Sequence, residues 1–165
     1  MVYWLTLTYE SSKIMGMDAV FVHMVEKYYV TNQAYWVDSA QLAKITERAY
    51  ILNPILIGKK APPITMIDST GKTISLYDVK AKYTIAIFWD VDCGHCKKEI
   101  PKLQELYTNK LKGKGIEVYA IYSTPFIYLL DENKIIRAKH IDVDQLGDLI
   151  DILEKEKERE KKKIK

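Results

Sequence analysis

Cysteine is scarce in this sequence: the 165 residues include only Cys93 and Cys96. A disulfide between distant segments is therefore unavailable, so oxidation cannot hold the fold together. Long apolar runs are also lacking, and we expect no membrane-spanning segment because such a helix needs about 18 or more consecutive apolar residues. Met1 to Tyr9 has neither the basic start nor the small-residue cleavage site of a secretory signal, so we expect no signal or anchor in this chain.

The sequence also has little excess charge of one sign, because it contains 25 Lys and Arg residues and 22 Asp and Glu residues. Residues 154–165 hold seven basic and four acidic residues, which accounts for the whole net charge of +3. A nucleic-acid-binding protein gathers basic residues on a folded face. We therefore expect no nucleic-acid partner, and we interpret residues 153–165 as a charged, solvated helical tail whose end frays.

The first 56 residues have the apolar spacing of helices. From Lys13 to Val30, apolar residues recur every three or four positions, which predicts a helix with one buried stripe. A second helix is predicted from Asp38 or Ser39 to Leu52. This helical region carries no motif to which we assign chemistry, and it is a candidate surface for self-association.

After residue 57 the pattern changes to that of an α/β domain, which we expect to extend to residue 152. A hairpin, a buried central strand, a helix, three further strands and a closing helix are predicted in turn. Their ranges are Ile64–Ile67 with Thr73–Leu76, Tyr83–Trp89, Cys96–Leu111, Ile116–Tyr122, Phe126–Leu130, Ile135–His140 and Val143 onward.

The two cysteines follow the central strand and begin a helix, as Cys93-Gly94-His95-Cys96. Unpaired N–H groups and the positive end of the helix dipole favour negative charge there, and such a setting lowers a thiol pKa from ~8.5 into the range of roughly 3.5–7.5. Cys93 is therefore the candidate nucleophile, and Cys96, one turn further along, is the candidate resolving thiol. A protonated His95 would stabilise the Cys93 thiolate.

Two other interpretations of the pair are a zinc half-site and an inert pair. Zinc needs four ligands, and outside the motif only His23 and His140 remain, at no recognisable ligand spacing. We therefore expect no metal site. The position at the start of a helix favours redox chemistry over an inert pair.

Several segments from Ile57 to Ile152 resemble, in order, the TlpA/ResA-like thiol-disulfide oxidoreductases of the thioredoxin superfamily. They are Gly58–Pro62, Asp68–Lys72, Ser75–Asp78, Phe88–Cys96, Pro101 and Thr124-Pro125. The resemblance implies a mixed sheet flanked by helices, preceded here by a helical extension like those of some envelope-anchored members.

The same resemblance implies the function and its partners. The protein would exchange disulfides with protein thiols in the bacterial periplasm or cell envelope, and an upstream dithiol would supply its electrons. The redox-active disulfide Cys93–Cys96 would serve in place of a cofactor, with Gly94, His95 and the aromatic Trp89 in support. Pro125 would be a cis proline beside the sulfurs, and the backbone of Thr124 would pair with a substrate strand.

This chain departs from the family pattern at two positions that bear on mechanism. Ile87 stands where thioredoxin has a buried Asp, so proton transfer from Cys96 would need another base or water, and we interpret Asp90 and Asp92 as solvated loop acids. Asp92 stands where a Trp commonly precedes the first cysteine, so substrate preference cannot be transferred. Alternative functions are a non-catalytic envelope binding or scaffold module and a peroxiredoxin-type peroxidase, although Asp90 occupies the Thr or Ser position of the peroxidase pattern.

The link between the strands Ile116–Tyr122 and Phe126–Leu130 has only three residues. Without the family, so short a link predicts a hairpin of neighbouring strands. With the family, the two strands lie on opposite sides of the central strand and are normally joined by a helix. We therefore expect a segment to be missing near Tyr122.

Overall fold

The computed structural model describes residues 1–67, 70–90, 92–94, 96–123 and 126–163. The helices are α1 (Val2–Glu10), α2 (Asp18–Met24), α3 (Ser39–Leu52), α4 (Cys96–Leu106) and α5 (Val143–Lys163). The strands are β1 (Thr65–Ile67), β2 (Thr73–Ser75), β3 (Tyr83–Trp89), β4 (Ile116–Tyr122), β5 (Phe126–Asp131) and β6 (Ile136–Lys139). π-Helical turns extend α2 and α4, at Val25–Tyr29 and Tyr107–Leu111, and short 3-10 turns lie at Asn53–Ile55 and Leu76–Asp78.

The amino-terminal region is helical, but its first part differs from the prediction. α3 begins after Asp38, whose Oδ1 accepts the N–H groups of Ala40 and Gln41, both at 2.9 Å. The helix predicted from Lys13 begins only at Asp18, because the chain turns before it at a glycine with φ of +86°. α1 was not predicted, since its apolar residues occupy most positions and mark no single stripe.

β3 is the second strand of a mixed four-stranded sheet with the order β4-β3-β5-β6. It runs parallel to β4 and antiparallel to β5. β1 and β2 form a separate antiparallel hairpin. The predicted fold class is therefore confirmed: a mixed sheet flanked by helices, with further helices before it.

The hairpin interpretation of β4 and β5 is wrong, because these strands lie on opposite sides of β3. The N–H of Ser123 donates to the carbonyl of Trp89 at 2.9 Å, so the link starts across the carboxyl end of β3. Thr124 and Pro125 lie outside the described residues. The cis proline, the substrate-pairing role of Thr124 and the missing segment all stay predictions.

The two faces of the sheet pack against different layers. On one face α4 and α5 cover a core that includes Ile85, Leu129 and Leu146, each fully buried. On the other face, residues of β3 and β5 join Leu76 and the hairpin in a smaller cluster. The first five residues of β3 are buried, which explains why its sequence is a near-continuous apolar run rather than an alternating one.

A buried ion pair joins the amino-terminal helices to the sheet. The ammonium group of Lys139, at the end of β6, binds the carboxylate of Asp18 in α2 and donates to the carbonyl of Ile55 at 3.0 Å. The boundaries predicted at residues 56 and 152 stay predictions, and α5 continues as one helix from the sheet layer to Lys163. Among the described residues, no helix has the length and apolar character needed to cross a membrane.

Candidate active site

The turn between β3 and α4 is organised by the residue that follows the strand. The carboxylate of Asp90 accepts the N–H of Asp92 at 2.8 Å, and its carbonyl accepts the N–H of Cys93 at 3.3 Å. The side chain of Asp90 is half-buried and shapes the turn, and its interpretation as a solvated loop acid stays a prediction. Asp92 is exposed, as expected.

The turn places Cys93 directly before the helix. The carbonyl of Cys93 accepts the N–H of Lys97 at 3.2 Å, a bond of helical spacing, and α4 begins at Cys96. The predicted sequence of strand, tight turn and helix is thus the local structure around the cysteines.

Both cysteines are in the thiol form and lie close together, but they differ in exposure. Cys93 is half-buried, whereas only 4% of Cys96 is exposed. Burial raises the pKa of Cys96 above its usual value of 9.0; a backbone hydrogen bond from Asp90 opposes this, and the hydrogen bond and charge of Cys93 add to it. The thiol at the helix start that solvent can reach is therefore Cys93.

Cys96 opens into a cavity of about 230 Å³ between α4 and the ends of β5 and β6. Three ionisable side chains also line it, from Glu99, His140 and Asp142. The rest of the wall is mostly apolar and includes Ile87, Phe88, Ile100 and Phe126. These ionisable side chains are possible acceptors for a proton that leaves the Cys96 thiol within this largely apolar cavity.

Glu99 is the residue of this site that the sequence analysis missed. Its side chain is only 13% exposed, and its Oε1 lies 3.0 Å from the ammonium group of Lys102. Its Oε2 is buried and has no hydrogen-bond partner among the described residues. Because Glu99 is one helical turn after Cys96, its spacing could have identified it as a carboxylate on the same side of the helix as that thiol.

His140 lies at the mouth of the same cavity, immediately after β6. Its ring centroid is 4.4 Å from that of Phe126, and its backbone N–H donates to the carbonyl of Ile127 at 2.9 Å. Partial desolvation lowers the pKa of His140; the charge of Lys139 acts in the same direction, and that of Asp18 opposes it. The imidazole is therefore neutral at neutral pH.

The other predicted site residues lie near the cysteines or outside the described part of the chain. Trp89 is half-buried and packs against the core beneath α4. Gly94 is exposed, with open space where a Cβ would lie. His95, like Thr124 and Pro125, is not among the described residues. Within the described ranges no group of three or more His, Cys, Asp or Glu side chains could hold a metal ion.

A mixed sheet with a pair of thiols where its central strand meets a helix defines a thioredoxin-like domain. The chain belongs to the AhpC/TSA family, whose model matches residues 57–151. The thiol-disulfide oxidoreductase ResA of Bacillus thuringiensis is 45% identical over 65 residues, which is 39% of this chain and 37% of ResA. ResA of Bacillus subtilis is 38% identical over 64 residues, 39% of this chain and 35% of ResA. The chain thus spans little more than a third of the length of these ResA relatives.

Solved structures give the same relationship. A domain of a possible thiol-disulfide isomerase from Cytophaga hutchinsonii superposes with a TM-score of 0.57 at 38% identity, covering 63% of this chain and 97% of that one. A thioredoxin-like protein from Bacteroides caccae superposes with a TM-score of 0.73 at 17% identity. The match covers 88% of this chain and 66% of that protein, and it supports the fold alone. The predicted TlpA/ResA-like resemblance is confirmed, and the relatives are thiol-disulfide oxidoreductases of the thioredoxin fold.

Proposed function

We propose that this protein is a thiol-disulfide oxidoreductase that exchanges disulfides with other proteins through Cys93 and Cys96. The observation that carries the proposal is the unequal setting of the two thiols at one helix start: Cys93 is half-buried, and Cys96 is buried. The thiolate of an accessible cysteine can attack a protein disulfide, whereas a buried neighbour can react only with the sulfur beside it.

In the reducing direction, the Cys93 thiolate attacks one sulfur of a substrate disulfide. A bond forms between Cys93 Sγ and that sulfur, the substrate disulfide breaks, and the other substrate sulfur leaves as a thiolate that takes up a proton. Cys96 then loses its proton and attacks Cys93 Sγ, which releases the second substrate thiol. The substrate gains two electrons, and the protein is left with a Cys93–Cys96 disulfide.

Glu99 is the base that we assign to the second step. The pKa of Cys96 is raised by burial, so few molecules carry its thiolate at neutral pH. Glu99 lines the same cavity, and its buried, unpartnered Oε2 is the oxygen that would take the Cys96 proton. Asp90 is the other carboxylate near this thiol: its charge also raises the pKa of Cys96, and its Oδ1 accepts the N–H of Asp92.

The test is turnover of a protein disulfide such as that of insulin, with a dithiol as reductant. We expect Cys93→Ala to abolish turnover and Cys96→Ala to stop the reaction at a mixed disulfide that mass spectrometry detects on Cys93. Equal turnover by wild type and Cys93→Ala would refute the proposal and favour a binding or scaffold role. Hydrogen peroxide consumption that depends on Cys93, without protein disulfide turnover, would favour the peroxidase alternative.

The direction of electron flow follows from the reduction potential of the Cys93/Cys96 couple. A potential near that of thioredoxin, about −270 mV, favours a reductase, and one of about −120 to −180 mV favours an oxidase or isomerase. We further propose that an upstream dithiol regenerates the reduced form and that the protein works in the bacterial envelope. The TlpA/ResA-like resemblance supports both proposals, and fractionation of cells that express the full-length protein tests the location.

A further inference from the structure

β4 is an edge strand with an open outer side. It pairs with β3 on one side through seven consecutive residue pairs, from Tyr83 with Ile116 to Trp89 with Tyr122. On its other side, no strand and no backbone hydrogen bond from the described part of the chain meets it. An open edge of this kind presents a row of backbone donors and acceptors to any other extended chain.

β4 has few of the devices that proteins use to protect such edges. Its sequence, Ile-Glu-Val-Tyr-Ala-Ile-Tyr, has no proline and no lysine, and its pairing with β3 has no bulge. Its only charge is Glu117. The edge is therefore regular and suited to pairing over its whole length.

Beside this edge the structure leaves apolar surface uncovered. Val118 is 37% exposed, and it lines a groove of about 440 Å³ with Ala120, Trp89 and Tyr107. Because side chains alternate along a strand, Val118 and Ala120 both face the α4 side of the sheet. A strand placed against β4 would cover them.

We propose that the partner of this edge is β4 of a second copy of the chain, paired antiparallel about a two-fold axis at Tyr119. This register pairs all seven residues, with Glu117 opposite Ile121 of the second copy and Val118 opposite Ala120. The register centred on Glu117 would instead place two like charges directly opposite each other, which is unfavourable. The self-paired strand thus joins two sheets into one of eight strands and brings the two apolar grooves together.

The register is tested by charge at position 121, with the protein kept reduced so that no intermolecular disulfide forms. Ile121→Lys places a lysine opposite Glu117 twice per dimer, and Ile121→Glu places a glutamate there. Opposite charges stabilise such pairs and like charges destabilise them, so Ile121→Lys should dimerise about 2- to 30-fold more tightly than wild type and Ile121→Glu correspondingly less. The measurement is sedimentation over a series of protein concentrations, with thermal unfolding to establish that both variants fold.

A charge swap and a matched control make the result specific. Adding Glu117→Lys to Ile121→Glu should restore dimerisation. The control substitutions Ile152→Lys and Ile152→Glu, at a residue of α5 that is 51% exposed, should affect dimerisation equally. A protein that stays monomeric at every concentration, or that forms open-ended aggregates, would overturn the proposal. So would a dimer that responds equally to Ile121→Lys and Ile121→Glu, because its interface would lie elsewhere.

Discussion

The role assigned to Glu99 predicts that Glu99→Gln slows one step of disulfide exchange and leaves the other unchanged. The substitution keeps the shape of the side chain but removes its ability to accept a proton. Burial raises the pKa of Cys96, so the thiolate that must attack in the resolving step is disfavoured near neutral pH. Losing a base that removes this proton during attack should therefore slow resolution by about 100-fold, at the lower end of the range for such catalysis.

A chromogenic aromatic disulfide measures both steps in one experiment. The first thiol released reports attack by Cys93, and the second reports resolution by Cys96. In Glu99→Gln the first phase should keep its rate at pH 7 and the second should slow. The difference should shrink as the pH rises towards the pKa of Cys96, since the thiolate then forms without a base.

The matched control is Glu105→Gln, which changes an exposed carboxylate on the same helix. It should leave both phases unchanged. The reasoning is refuted if Glu99→Gln resolves as fast as wild type at pH 7, or if its first phase slows equally. The first outcome would leave water as the proton acceptor, and the second would indicate a general disturbance of α4.

Three further predictions concern stability. Lys139→Met should lower the free energy of unfolding in urea by about 3–5 kcal/mol, because it leaves the largely buried carboxylate of Asp18 without its cation. Replacing Asp18 by Leu as well should recover much of the loss, and additive losses would argue against coupling. Leu129→Ala should cost about 2–5 kcal/mol and Ile152→Ala less than about 0.5 kcal/mol in the same assay, and similar losses would contradict the assigned core. Because the pKa of Cys96 is raised in the folded state, this thiol stabilises the reduced protein below about pH 9, and that stabilisation is lost as the pH rises through the folded-state pKa. Cys96→Ala should therefore reduce the fall in stability at alkaline pH. An unchanged fall would show that Cys96 does not contribute.

The sequence by itself predicted most of the elements of the thioredoxin-like domain. The apolar run of β3, the dithiol after it and the glycines after α4 are local signals, because each reflects the burial or backbone conformation of its own segment. For the same reason the sequence alone places the cysteines at a helix start. α1 escaped prediction because its apolar residues form no single stripe, and its packing depends on contacts such as that of Thr6 with Tyr29.

Only the tertiary structure decided which distant residues meet. The short link after β4 predicts a hairpin when considered locally, yet β3 lies between β4 and β5, because pairing of strands is decided by contacts far apart in sequence. Likewise, the cavity beside Cys96 brings Glu99 of α4 together with His140 after β6, some forty residues further along the chain. Local patterns determined the thiols and their helix, while the folding of the sheet determined the cavity and the open edge around them.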